Sequence, residues 1–576
     1  MYILGVNCVY HESSACLLKH GRVIAAAEEE RFNRVKHGKQ VRADNPDELP
    51  LNAISFCLRS AGISMADISH VACAGDPHQM SLVLELGLPS AWNSPEKQVQ
   101  FLKTLPNVPA KLAAMGLRGD FHWVPHHIAH AASAYYASPF RDAAVLVIDA
   151  LGDDSFSAAL CHGVQNELRV LQHVPFPASL GYLWELHSIL LGFGAYDAAK
   201  VMGLAAYGNP QHFAAALGEL VWPLPDGGFG MKDEALRFSD ICYYPPSAYC
   251  DGLESRYGVA RRRSSEPLLD VHHDIAAALQ ANTDELALHM ADHLFRLTGA
   301  RDLCLSGGVA LNCVTNAHVF EHASFTRLFV QPAAHDAGTS LGAAYHVWNH
   351  VLGHYQREPM VHAYLGPSYS DTEIEEALRS YGLRYDKPLN LERDVARLIS
   401  ERQVVGFFQG ALEFGPRALG NRSILADPRQ ADMRDLLNRK VKHREYFRPF
   451  APSVLEEAAS HWFEIRKPTS ASDFMLMAYL ARDCCKWQIP AVLHVDGTCR
   501  IQSVKKEVNP RFHRLISEFQ ELTGVPILLN TSFNDQEPII CSPTDAIETF
   551  LETEIDFLAI ENCLVAKSGN EHCRRK

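Results

Sequence analysis

The chain has 576 residues, which at about 100–200 residues per domain gives three or four domain-sized units. Apolar residues make up 47% and charged residues 21%, which excludes a disordered or collagen-like chain. The 53 Lys and Arg against 67 Asp and Glu leave a net charge of −14, which weighs against broad electrostatic binding to nucleic acid or anionic membrane. No run approaches the roughly 20 apolar residues of a bilayer span. Residues 1–9 lack a basic leader followed by an apolar core, so they read as a strand and not as a secretory signal. The 15 cysteines are odd in number and include no CxxC pair, which fits reduced thiols and a cytoplasmic setting.

Taken in chain order, residues 2–9 read as an apolar first strand. Ser14–Lys19 and Arg22–Glu28 follow as strands joined by His20-Gly21, a two-residue hairpin signal. A similar pattern recurs at 144–148, 155–162 and 168–174. Each set opens with a strand that ends near a polar residue, first Asn7 and then Asp149, and each continues into a hairpin. The echo predicts two related α/β halves. Leu51–Ala61 and residues 275–298 carry apolar spacings of three and four, which predicts helices. Residues 303–305 form a short buried strand that enters Ser306-Gly307-Gly308. Arg327–Val330 is a further strand, and Asp336-Ala337-Gly338 opens a helix. The first domain is expected to span 1–355, with a connector at 356–392 carrying a short helix at 371–381. A second α/β domain, 393–576, starts with a helix at 395–401 and a strand at 404–408. The polar tail, 568–576, is expected to fray.

The sharpest motif is His126-His127-Ile128-Ala129-His130. His126 and His130 are four apart and share a helix face. The spacing suits two imidazole ligands on one metal, and satisfied core histidines remain the other reading. Glu is missing after the first His, so zinc-protease chemistry loses its base. Asp149 ends a strand, where α/β folds present ligand-binding carboxylates, and Asp336 sits at a helix start. Two His and two Asp suit Fe(II), Mn(II) or Zn(II). The Gly307-Gly308 turn and the segment from Lys200 to Gly208 each suggest weakly, and together more firmly, a nucleotide cleft. His11, just after the first strand, suits a general base because its ordinary pKa lies near working pH. Residues 411–450 hold nine Lys and Arg against five acids, a local +4 in an acidic chain. The strand at 526–534 delivers amides and hydroxyls at its end, an arrangement that suits orienting a small planar group such as a carbamoyl, with an Asx or Ser turn as the other reading.

Taken together these residues resemble the O-carbamoyltransferase family of nodulation-factor and antibiotic-tailoring enzymes (NodU/CmcH type), with motifs in the family's order over nearly the whole chain. The resemblance implies an N-terminal actin-like (ASKHA) duplicated α/β domain and a C-terminal YrdC-like α/β domain. The C-terminal domain would activate carbamoyl phosphate with ATP and Mg²⁺ to carbamoyl adenylate and pyrophosphate. The N-terminal domain would pass the carbamoyl group to a small-molecule alcohol beside a metal, usually iron. Carried over residue by residue, His126, His130, Asp149 and Asp336 would hold Fe²⁺, with Mn²⁺ or Zn²⁺ as alternatives. Lys200, Gly203, Gly307, Gly308 and Asn312 would line the adenylate pocket. Arg417, Arg422, Lys442, Arg448, Asn530 and Ser532 would bind carbamoyl phosphate and ATP. His11 would activate the acceptor hydroxyl, with Lys36 reaching the same cleft. No nucleic-acid or membrane partner is expected, and a homodimer is an open assembly state. The alternative is a tRNA threonylcarbamoyl-type modification enzyme, against which the −14 charge speaks.

Overall fold

The computed structural model describes residues 1–88, 95–232 and 251–570. The end of the expected polar tail, residues 571–576, lies outside the described residues. The chain forms two units. The first consists of Met1–Glu29 and His37–Met360, and the second of Glu30–Lys36 and the chain from Val361 onward. Among the described residues no helix is long and apolar enough to cross a membrane.

The first unit holds two five-stranded sheets. One contains β1 (Tyr2–Asn7), β2 (Ser14–Lys19), β3 (Arg22–Glu28), β4 (His70–Ala74) and β5 (Asp120–Val124) in the order β3-β2-β1-β4-β5. The other contains β6 (Asp142–Ile148), β7 (Phe156–Val164) and β8 (Glu167–Pro175). After a small ribbon of β9 (Val221–Pro223) and β10 (Phe229–Met231) come β11 (Asp302–Ser306) and β12 (Arg327–Val330), giving the order β12-β11-β6-β7-β8. Counted from the hairpin edge, both sheets read third, second, first, fourth, fifth. In each, the first three strands are antiparallel and the last two run parallel to the first. The echo in the sequence is thus a duplicated topology, as an actin-like architecture requires. The first hairpin closes at His20 and Gly21 with φ of 50° and 79°, the conformation that a tight two-residue turn needs.

β1 and β6 are buried almost throughout, as expected for strands covered on both faces. The helix Ala337–His346 packs on β1 and β2 and crosses the helix His126–Tyr135. That crossing is very close. A Cβ at Gly342 would collide with the carbonyl oxygen of Ala129, and one at Gly5 would collide with Ser340 O.

The second unit is built on a mixed seven-stranded sheet. Its members are β13 (Val405–Phe408), β14 (Arg422–Ala426), β15 (Ala451–Leu455), β18 (Gln502–Val504), β19 (Ile527–Ser532), β20 (Phe557–Ile560) and β21 (Cys563–Ala566). The order is β18-β15-β19-β14-β13-β20-β21, beside a separate pair of β16 (Ala478–Leu480) and β17 (Thr498–Arg500). The helices Leu391–Ser400 and Pro510–Thr523 pack together. The helix expected in a connector, Asp371–Ser380, carries a capping box from Ser370 and Glu373 and belongs to this unit. So does the short segment 30–36. Phe32 packs on Leu412, Ile539 and Cys541, buried Arg31 donates to Gly415 O, and Arg34 donates to Pro538 O and Ile539 O.

The tight helix crossing gives a direct test. Gly342→Ala has no room for its methyl group and should lower unfolding stability by about 1–3 kcal/mol, read by denaturant titration.

Candidate metal centre and anion sites

Four side chains converge in the first unit. His126 and His130 come from the first turns of the helix His126–Tyr135, Asp149 from the residue after β6, and Asp336 from the start of the helix Ala337–His346. One ligand atom from each lies within 4.8 Å of all the others, and all four residues are buried. His126 Nε2 is 2.8 Å from Asp149 Oδ2 and 3.7 Å from Asp336 Oδ1. His130 Nε2 is 3.3 Å from each carboxylate. Ligands at about 2.05 Å from a tetrahedral ion sit about 3.3 Å apart, so these spacings suit one small divalent cation. Burial alone would neutralise the histidines. The carboxylates outweigh it, holding His126 up at about 10 and raising His130. The imidazoles in turn hold Asp149 well below the usual carboxylate range and lower Asp336 against the effect of burial. Two buried acids and two basic nitrogens share protons here, and a cation is the natural replacement for those protons.

Outer groups fix the ligands. Ser306 Oγ lies 3.4 Å from His130 Nδ1, and Gly308 N donates to Asp149 Oδ1 at 3.2 Å. The Gly307-Gly308 turn therefore touches the metal cluster. Gly307 has φ of 88°, and a Cβ there would strike Ile148 O, so only glycine lets β11 pass this close to the end of β6. Asp153 accepts the His126 backbone N–H at 3.2 Å, placing a carboxyl group at the helix N-terminus.

His11 joins the cluster, its Nδ1 3.8 Å from Asp336 Oδ2. Asn7 holds it there. The Asn7 amide donates to the carbonyls of His11, Glu12 and Asp336 at 3.0–3.1 Å. Around His11 stand groups that the motifs do not mark. Tyr196 lies 5.3 Å from its ring and 4.6 Å from that of His37, and His37 Nδ1 contacts Glu12 at 2.6 Å. Burial would raise the Glu12 carboxyl, but His335 and His37 hold it far below its ordinary value. Glu185 is another missed group. Burial, and then Asp149, push its carboxyl up to about 8. Its signal, an acid inside the apolar helix Leu180–Leu190, is present in the sequence.

Other expected residues have different placements. Lys36 is exposed and is grouped with the second unit. Lys200 pairs with Asp197 at 3.1 Å and lies over the Phe193 ring. Gly203 is buried within the helix Ala198–Ala205. The Asn312 side chain caps the helix Cys313–His322 and bonds Gln280, which commits its amide to structure.

In the second unit, Arg422 is fully buried. It lies 3.7 Å from the Phe408 ring centre and donates to the carbonyls of Gln409, Asn421, Pro367 and Gly410. Arg422 therefore braces the sheet and presents no guanidinium to a ligand. Lys442 is buried and donates to Ser532 O, Asn534 O and Asn534 Oδ1 at 2.6–3.0 Å. Burial, then Arg444 and Arg448, depress its ammonium strongly. Arg444 is depressed by burial, Arg448 and Arg500. Lys442, Arg444, Arg448 and Arg500 thus form a chain of neighbouring cations, tempered by Asp535 and Glu537 near Lys442 and by Glu445, 3.9 Å from Arg448. Arg444 and Arg500 are additions to the expected set. Arg417 is half-buried. Asn530 Nδ2 donates to Ser453 Oγ and Gln502 Oε1, while its buried Oδ1 has no hydrogen-bond partner. Ser532 Oγ donates to Asn534 Oδ1.

Comparison with known proteins shows the family of both parts of the chain. Residues 2–345 match the model described as carbamoyltransferase N-terminus, and residues 396–567 match carbamoyltransferase C-terminus. The uncharacterised protein sll1178 of Synechocystis is 36% identical, over 99% of this chain and 97% of its own length. Nodulation protein NolNO of Sinorhizobium fredii is 37% identical, over 97% of this chain and 80% of its own. Among solved structures, HypF of T. kodakarensis superposes with a TM-score of 0.34 at 16% identity, over 62% of this chain and 48% of that one. The chain belongs to the carbamoyltransferase family and carries both its N-terminal and its C-terminal parts.

Proposed function

We propose that this carbamoyltransferase moves a carbamoyl group from carbamoyl phosphate, by way of ATP, to the hydroxyl of a small-molecule alcohol. The observation that carries the reading is the buried cluster of two imidazoles and two carboxylates with His11 beside it. In the second unit the cation set around Lys442 binds the phosphates of carbamoyl phosphate and Mg²⁺-ATP. Carbamoyl phosphate gives its phosphate to water. The carbamate oxygen then attacks the α-phosphorus of ATP, giving carbamoyl adenylate and releasing pyrophosphate. Arg and Lys offset the charge that builds on the phosphates.

In the first unit His126, His130, Asp149 and Asp336 hold a divalent metal, and their mixed nitrogen and oxygen donors suit Fe²⁺, Mn²⁺ or Zn²⁺. Once bound, that ion supplies Lewis-acid charge stabilisation. His11 takes the proton of the acceptor hydroxyl, whose oxygen attacks the carbamoyl carbon as AMP leaves. The proton goes to His11 and the electron pair of the broken C–O bond goes to AMP. Asn7 positions His11 by holding its turn against Asp336. The Gly307-Gly308 turn and Lys200 line the side on which the adenylate sits, protected from water.

Incubation with carbamoyl phosphate, ATP and an alcohol panel should yield AMP and a product heavier by one carbamoyl group. Absence of both across a broad panel would sink the reading. Lys442→Ala should cut carbamoyl-phosphate-dependent ATP–pyrophosphate exchange by at least tenfold, whereas His11→Asn should spare exchange and abolish transfer. Elemental analysis should find about one transition metal per chain, lost on His130→Ala with the circular dichroism unchanged. Because metal displaces protons from the histidines, apparent metal affinity should rise with pH. In the metal-free protein the sign for folding is opposite. His126 is raised from 6.5 to about 10, so its stabilising contribution is full below pH 6.5 and lost as pH climbs to about 10. Thermal melts of chelated and metal-loaded protein across that window check both.

A further inference from the structure

A second cationic feature lies in the first unit, outside the motifs that the reaction uses. Gly192, Phe193, Gly194, Arg261, Arg262, Arg263 and Ser264 line an open cavity of about 610 Å³. Three of those residues are cationic and none is acidic. The volume falls in the range of small-molecule sites.

The three arginines divide their work. Arg262 is buried and structural. Its Nε donates to Leu191 O at 2.6 Å, its Nη1 donates to Glu266 O, and its guanidinium lies 5.2 Å from the Phe193 ring centre. It ties the strand-like segment at 261–263 to the turn at 191–194. Gly192 is required there, since its φ is 77° and a Cβ would sit 2.7 Å from Arg262 O. Arg261 and Arg263 flank this brace. Their backbone N–H groups donate to Glu254 and Glu266, but among the described residues neither guanidinium has a hydrogen bond or an ion pair. Two guanidinium forks among the residues that line one cavity, with Ser264 beside them in the chain, suit an oxyanion.

The same loop leads to the catalytic histidine. Gly194 lines the cavity, and Tyr196, two residues on, lies 5.3 Å from the His11 ring. Two residues span at most about 7 Å. One loop thus borders both the cavity and His11.

We infer that this cavity is the acceptor's anchoring site, and that the acceptor alcohol carries an oxyanion, namely a phosphate, sulfate or carboxylate. The inference rests on His11 being the base of the proposed transfer, and it names the acceptor's chemical class.

The test uses the full-length protein and glucose 6-phosphate as the probe, with glucose as its neutral match. Calorimetric titration should show glucose 6-phosphate binding at least tenfold more tightly than glucose. Arg261→Gln with Arg263→Gln should remove that advantage and leave ATP affinity and carbamoyl-phosphate-dependent pyrophosphate exchange unchanged. Glucose 6-sulfate and glucuronate in the same titration distinguish the three oxyanions. Equal binding of glucose and its phosphate overturns the inference, as does an unaltered double variant. A parallel fall in ATP affinity also overturns it, because the cavity would then hold the nucleotide's phosphates. Wild-type protein without pyrophosphate exchange would refute the proposed activation chemistry, and the sugar titration reads independently of that result.

Discussion

The contact on which the first unit depends is the close crossing of the helices His126–Tyr135 and Ala337–His346. At Gly342 the missing side chain lets one helix rest directly on the Ala129 carbonyl of the other. His130 is the next residue after Ala129, and Asp336 immediately precedes the second helix. The crossing therefore sets how far apart a nitrogen and an oxygen ligand stand. At 3.3 Å they suit one ion, and a helix pair separated by ordinary side chains would sit about 8–10 Å between axes with those ligands spread. Gly5, passing under Ser340, gives the same helix its seat on β1.

Duplication explains the rest of the site. Asn7 ends β1 and Asp149 follows β6, so corresponding positions of the two halves supply the two groups that organise the centre. In the second half the residue is an acid and joins the cluster of His126, His130 and Asp336. In the first half it is a neutral amide, which cannot add a third buried negative charge and instead donates to three carbonyls. One of those carbonyls is Asp336 O and another is His11 O. A single side chain thus ties the His11 turn to the start of the helix that carries Asp336. An acid in place of Asn7 could accept but not donate, leaving those carbonyls unmatched.

Much of this was legible in the sequence because it is local. Both hairpins, the His126–His130 spacing, the strand-end Asp149 and the helix-start Asp336 each depend on a few neighbouring residues. What was not legible depends on long-range packing. Segment 30–36 reads as part of the first domain by position, yet Phe32, Arg31 and Arg34 find their partners at 412–415 and 538–541. Arg422 and Arg448 look alike as letters in a basic window. One stacks on Phe408 and gives both terminal nitrogens to carbonyls, while the other lies near Lys442 and Arg444 with Glu445 beside it. Arg500 enters that group from a strand outside the window. Tyr196, His37 and Glu12 gather at His11 only after the loops fold over it. Asn312 was marked by its glycine turn, but the helix it begins claims its side chain as a cap.

The net charge of −14 takes on meaning only when the cations are sorted by what surrounds them. Arg429 is spent on Asp427 at 2.7 Å and Lys440 on Glu554 at 2.8 Å, so neither adds to a positive field. Lys442 and Arg444 are different. Lys442 is buried and Arg444 half-buried, and burial first, then neighbouring cations, pushes both below their usual values. A protein gains no folding stability from placing like charges together out of water. Glu445, 3.9 Å from Arg448, relieves part of that repulsion, and under the proposed function the phosphates of the substrates would relieve the rest. The acidic remainder of the chain strengthens that selection. It repels extended polyanions such as nucleic acid from most of the surface, while a compact polyphosphate can enter where the local sign is reversed.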